Sequence, residues 1–175
     1  MNARACKRYS QFGCDAVLLW DDWGLQNRLM VSPGQWRDIW KPYYARLFRA
    51  CHESGMATFL HSCGYIVDIL DDLIEIGLDV IQMDQQENMG LELLGKRFGG
   101  RITFFSPADI QTVMQRPADE IRAYCRRMVK VLGRREGGFI PRLDNDPKAV
   151  GHTDEARRAA CEEFLAISRE MYGHS

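Results

Sequence analysis

Short apolar runs recur along the chain at Ala16–Trp20, Ala57–His61, Asp79–Met83, Arg101–Phe105 and Gly138–Pro141, and segments of helical periodicity alternate with them. This alternation constrains the fold more than any other feature. A strand apolar at nearly every position is buried on both faces, and such strands belong to parallel sheets covered by helices. Right-handed crossovers of this length build either an open doubly wound sheet or a barrel. The first run stops at Asp21-Asp22-Trp23-Gly24, which lacks the glycine-rich turn that cradles a pyrophosphate, so a barrel is expected.

The intervening segments carry helix signals. Ser32-Pro33-Gly34-Gln35 combines an N-cap serine, a proline at the first helical position and a glutamine three residues after the cap. Trp36, Ile39, Trp40, Tyr43, Leu47 and Cys51 then recur at helical spacing until Gly55, predicting one continuous helix whose aromatic stripe faces the core. Further helices are predicted at Ile66–Ile76, near Gly90–Phe98, from about Ala118 to Leu132, and at Thr153–Met171. No linker or low-complexity tract interrupts the 175 residues. The expectation is a single α/β domain over 1–175, a partial (β/α)8 TIM barrel with about five parallel strands.

Charge and hydropathy exclude several classes of function. The 23 Lys and Arg against 24 Asp and Glu give a net charge of −1, and the two signs are mixed, so no basic stripe exists to gather a phosphate backbone. The apolar runs are far shorter than the roughly 20 residues needed to span a bilayer. The start, Met1-Asn2-Ala3-Arg4, leads into no apolar signal region, and a cytoplasmic location is expected. The six cysteines lack paired spacing, so reduced and mostly buried thiols are expected.

In parallel α/β folds chemistry sits beyond the C-terminal strand ends. Here those ends are polar: Asp21 and Asp22; His61-Ser62-Cys63-Gly64; Asp84, Gln85 and Gln86; Ser106, Asp109 and Gln111; Arg142, Asp144 and Asn145. Any one aspartate could simply cap the helix that follows. His61 and Cys63 form the sharpest pair, because residues two apart on an extended chain point the same way and could offer imidazole and thiolate to one metal ion. A catalytic zinc takes three protein ligands and leaves a position open, and Asp144 is the natural third candidate. The competing reading is a core cysteine beside a hydrogen-bonded histidine. His52, His152 and His174 are read as solvated.

The order of these stretches resembles the C-terminal part of the uroporphyrinogen decarboxylase superfamily. The resemblance is carried by Leu18-Leu19-Trp20-Asp21-Asp22-Trp23-Gly24, Ser32-Pro33 with Lys41-Pro42-Tyr43, His61-Ser62-Cys63-Gly64, Ile76-Gly77-Leu78-Asp79-Val80, Asp109-x-Gln111 and Gly137-Gly138-Phe139-Ile140. It implies catalytic positions at Asp22, where the decarboxylase pattern has a serine, and at Asp144, where it has a histidine. It implies substrate-facing positions at Asp21, Gln26, Asp84, Gln86, Asp109 and Gln111. The decarboxylases' main carboxylate-gripping residues lie in a barrel half with no counterpart in this chain.

The His-x-Cys pair is similar to that of the superfamily's corrinoid-linked methyltransferases, which bind zinc with a later cysteine and activate a thiol acceptor. Asp144 falls near that cysteine's position. The resemblance thus implies zinc on His61, Cys63 and Asp144, a corrinoid carried by a partner protein, and a small-molecule substrate. A porphyrinogen decarboxylase-type lyase without metal, or a non-catalytic partner chain, is the alternative. Two apolar sheet edges further imply a fragment of a longer protein, a complementing N-terminal barrel half on a partner chain, or a homo-oligomer that pairs its edges. Neither nucleic acid nor a membrane is an expected partner.

Overall fold

A computed structural model describes residues 3–143 and 149–173. The chain forms two compact units, Met1–Gln82 and Met83–Ser175. Parallel strands alternate with helices in both.

The first unit contains α1 (Ala3–Gln11), β1 (Ala16–Trp20), α2 (Pro33–Ile39), α3 (Lys41–His52), β2 (Ala57–His61), α4 (Val67–Glu75) and β3 (Val80–Gln82). β2 lies between its neighbours, pairing Trp20 with His61 on one side and His61 with Gln82 on the other. The helix expected to run from Pro33 to Gly55 is two helices that meet at Trp40. Pro42 explains the break: lacking an N–H, it cannot accept a place in the interior of one helix, but it fits the first turn of a new one. The capping box at Ser32 does form, its hydroxyl accepting from Gln35 N at 3.2 Å.

Asp72 of α4 holds that corner in place. It is 8% exposed and accepts from Arg37 of α2 at 2.9 Å and from Lys41 of α3 at 2.8 Å. The hydrogen bonds to Asp72 and Glu75 raise the Lys41 pKa and keep the ammonium charged. Trp36, Phe48, Leu60, Ile69, Leu70 and Ile81 fill the core. α1 docks through Cys6 onto Ala50, Cys51 and Met56, with Val17 packed against the group. Strand alternation then turns Leu18 and Trp20 to the opposite face of β1, where they are exposed.

The second unit contains a 3-10 turn (Gln86–Asn88), α5 (Leu91–Phe98), β4 (Thr103–Ser106), α6 (Ala118–Leu132), β5 (Phe139–Pro141) and α7 (Asp154–Tyr172). β4 and β5 pair in parallel, Phe105 opposite Ile140. Leu94, Phe98, Phe104, Ile121, Met128 and Leu132 form the core. Thr153 caps α7, accepting from Ala156 N at 3.1 Å.

All six thiols are free, with Cys6, Cys51 and Cys125 buried, Cys63 and Cys161 partly so and Cys14 exposed. Burial, then the Cys6 thiol beside it, pushes the Cys51 thiol up to about 12; burial pushes Cys125 up to about 12 as well. His152, expected in solvent, is buried with Nε2 3.3 Å from the Ile110 carbonyl, because the loop before α7 folds back onto the segment after β4. Among the described residues no helix is long and apolar enough to cross a membrane.

Candidate metal centre

The strand ends of the first unit bring three ligand-type side chains together. β1 and β2 run in register, so the two residues after Trp20 and the two after His61 emerge side by side. The Asp21 N–H bonds the His61 carbonyl at 3.1 Å, and the Gly24 N–H bonds the Cys63 carbonyl at 3.1 Å. The two loops touch backbone to backbone at Gly24 and Gly64. A Cβ on Gly24 would meet main-chain atoms of Cys63, Gly64 and Tyr65, and one on Gly64 would meet those of Gly24 and Leu25. Only glycine permits that approach.

The result is a compact Asp22, His61 and Cys63 group whose ligand atoms all lie within 4.8 Å of one another. His61 Nε2 is 3.4 Å from Cys63 Sγ and 3.2 Å from Asp22 Oδ1. Asp22 Oδ1 also accepts from the Cys63 backbone N–H at 2.9 Å. His61 is 5% exposed, sealed by the Trp20 ring with centroids 4.4 Å apart, whereas Asp22 is exposed. On the far side of the imidazole, Nδ1 bonds the Gln82 side-chain oxygen. An amide oxygen only accepts, so Nδ1 carries a proton, and Nε2 is the ring nitrogen that faces Cys63 and Asp22.

Asp21 serves a different purpose. It accepts from the Tyr44 hydroxyl at 2.7 Å, and that hydroxyl accepts from Trp23 Nε1 at 2.9 Å. Burial, reinforced by the bond to Asp21, holds the Tyr44 hydroxyl far above its usual range, so it remains a neutral donor. Trp23 N bonds Ser62 Oγ at 3.0 Å, and its ring packs edge-on to Trp36 and Trp40. The chain Asp21–Tyr44–Trp23–Ser62 therefore braces both loops against the helical core. Tyr44→Phe removes one donor and one acceptor from that chain; a loss of about 1–2 kcal/mol in urea unfolding is expected, with metal binding retained.

The remaining expected positions lie elsewhere. Gln26 is exposed in the loop after β1. Within the second unit Asp84 bonds Arg142 at 2.7 Å. Gln86 is fully buried and donates through Nε2 to the carbonyls of Met83 and Pro107 at 2.9 and 3.1 Å. Asp109 is also fully buried, and both of its oxygens are occupied, by Glu87 N on one side and by Gln111 N, Thr112 N and Thr112 Oγ1 on the other. That is the arrangement of a carboxylate holding a turn together. The Gln111 side chain is exposed. Asp144 and His174 lie outside the described residues.

Two participants escaped the sequence reading. Gln82 is a lone polar residue ending an apolar strand, a visible signal without a visible partner. Tyr44 sits one position from the expected aromatic stripe.

Fold and strand-end polarity together define an α/β protein with polar residues gathered at the C-terminal ends of parallel strands. The uroporphyrinogen decarboxylase (URO-D) family model matches residues 1–143, and the chain belongs to that family. Among solved structures, a methyltransferase from Methanosarcina mazei superimposes on 94% of this chain with a TM-score of 0.63 at 20% identity. The match covers 47% of that structure, so the chain spans about half its length. The shared fold makes this chain a partial (β/α)8 barrel. A crystal structure of D-psicose 3-epimerase in the presence of D-fructose aligns with 98% of this chain and 94% of its own, but at a TM-score of 0.26 and 10% identity it carries no argument. No curated protein matches the chain.

Proposed function

We propose that the chain carries the zinc site of a methyltransferase-type member of the family, with His61, Cys63 and Asp22 as protein ligands. The observation that carries this reading is the spacing of the ligand atoms. Zinc bond lengths of about 2.0–2.3 Å and tetrahedral angles imply N···S and N···O edges of about 3.6 and 3.3 Å. The edges here are 3.4 Å for His61 to Cys63 and 3.2 Å for His61 to Asp22. The third edge, Cys63 to Asp22, lies within the 4.8 Å that encloses all three ligand atoms. Donor chemistry agrees, since one imidazole, one thiolate and one carboxylate suit zinc better than magnesium or calcium.

Gln82 behaves as the outer partner of a ligating histidine, fixing its tautomer and ring orientation. Trp20 covers the imidazole, and the Cys63 N–H holds the Asp22 carboxylate. Three protein ligands leave a fourth position for a substrate thiol, and zinc in such a site lowers the pKa of what it binds. Asp144 is a further ligand candidate from the sequence. The methyl group transferred would come from a corrinoid carried by a partner protein, as the family resemblance implies, and both partner and thiol acceptor belong to this proposal. A metal-free decarboxylase-type or non-catalytic role is the reading left if the triad binds no metal.

Substituting cobalt(II) for zinc tests the ligand set. A thiolate-to-cobalt charge-transfer band that disappears in Cys63→Ser and persists in Tyr44→Phe is expected. Cobalt bound without that band would show that Cys63 is not a ligand, and the proposal would fail.

A further inference from the structure

The second unit carries a charged pair that the metal reading does not use. Asp84 Oδ1 and Arg142 Nη1 are 2.7 Å apart, with only 11% and 13% of their side chains exposed. A guanidinium has five N–H donors. Among the described residues the Arg142 side chain is hydrogen-bonded only through Nη1, so toward them this nearly buried cation leaves most of its fork unspent. Arg142 follows β5 directly, and its backbone N–H bonds the Ser106 carbonyl at the end of β4 at 3.1 Å.

The same turn has further unmet polar demand. Ser106 Oγ and Gln86 Oε1 belong to fully buried side chains and have no hydrogen-bond partner among the described residues. Gln86 reaches this point through its bond to the Pro107 carbonyl, next in sequence to Ser106. Buried polar atoms are rarely left unmatched unless a ligand or an ordered water completes them. An arginine at a barrel strand end, held by one carboxylate and joined through its backbone to the Ser106–Pro107 segment where such atoms lie, has the chemistry of an anion receptor.

We infer that Arg142 binds the carboxylate of a small organic acid and that Asp84 is its positioning residue. The guanidinium fork matches a planar carboxylate. Asp84 already neutralises one charge and stands beside the fork, so a monoanion is favoured over a doubly charged phosphate. This site lies wholly in the second unit and stands or falls independently of the metal triad.

The test is an NMR titration of the ¹⁵N-labelled chain with acetate, phosphate and chloride at matched ionic strength, following the Arg142 Nε–H signal, which is identified by its loss in Arg142→Lys. Acetate should shift it saturably, phosphate more weakly, chloride not at all. Arg142→Lys, which keeps the charge and loses the fork, should bind acetate at least about tenfold more weakly, read from amide shifts. Asp84→Asn should reverse the preference toward phosphate, which loss of a merely structural ion pair would not do. No saturable acetate shift in the wild type would overturn the proposal, as would phosphate binding as tightly as acetate. The wild-type signal decides the matter even if a variant fails to fold.

Discussion

Gly64→Ala is expected to cost at least about 3 kcal/mol in stability and to abolish metal binding together. Gly64 has φ +74°, in the left-handed region, and a Cβ there would run into the carbonyl of Gly24 and the oxygen of Leu25. Both obstacles are backbone, so no side chain can swing aside. Relief requires the loop after β2 to move away from the loop after β1, and those loops carry Cys63 and Asp22. Urea unfolding reads the first effect and zinc content of the purified variant the second. Wild-type stability in this variant would show that the two loops do not need the close approach.

The second large effect concerns the ligands. Removing His61 or Cys63 should weaken zinc binding by more than about 100-fold, because a first ligand counts for more than the outer partner of one. Gln82→Leu removes only the oxygen that orients His61, and a loss of about 10–100-fold is expected. Asp22→Asn separates this triad from the sequence expectation that named Asp144. If Asp22 is a ligand, Asp22→Asn lowers affinity while the fold and the Trp23–Ser62 brace survive. Competition with a chromogenic chelator measures the whole series, and an unchanged affinity in Asp22→Asn would return the third position to Asp144.

The strands were legible to within a residue or two because runs such as Ala57–His61 are mostly apolar and bury much of their length, whereas in β1 the same pattern leaves Leu18 and Trp20 exposed. The break at Trp40 was not legible, since Trp36, Ile39, Trp40 and Tyr43 keep their spacing across it; the informative residue was Pro42. His61 and Cys63 could be paired from local geometry because strand alternation works over two residues. Asp22 and Gln82 could not be joined to them, because that depends on β1 and β3 flanking β2 in a register set by the whole sheet. Asp109 shows the opposite problem. A carboxylate at a strand end reads the same whether it faces a substrate or holds a turn, and only its four donors distinguish the two.

Elemental analysis of the chain purified without chelator, alongside His61→Ala and Cys63→Ser, tests the metal centre most directly. The account predicts about one zinc per wild-type chain and none in either variant, with all three proteins folded. A folded wild type with no metal, or zinc retained in both variants, would contradict it.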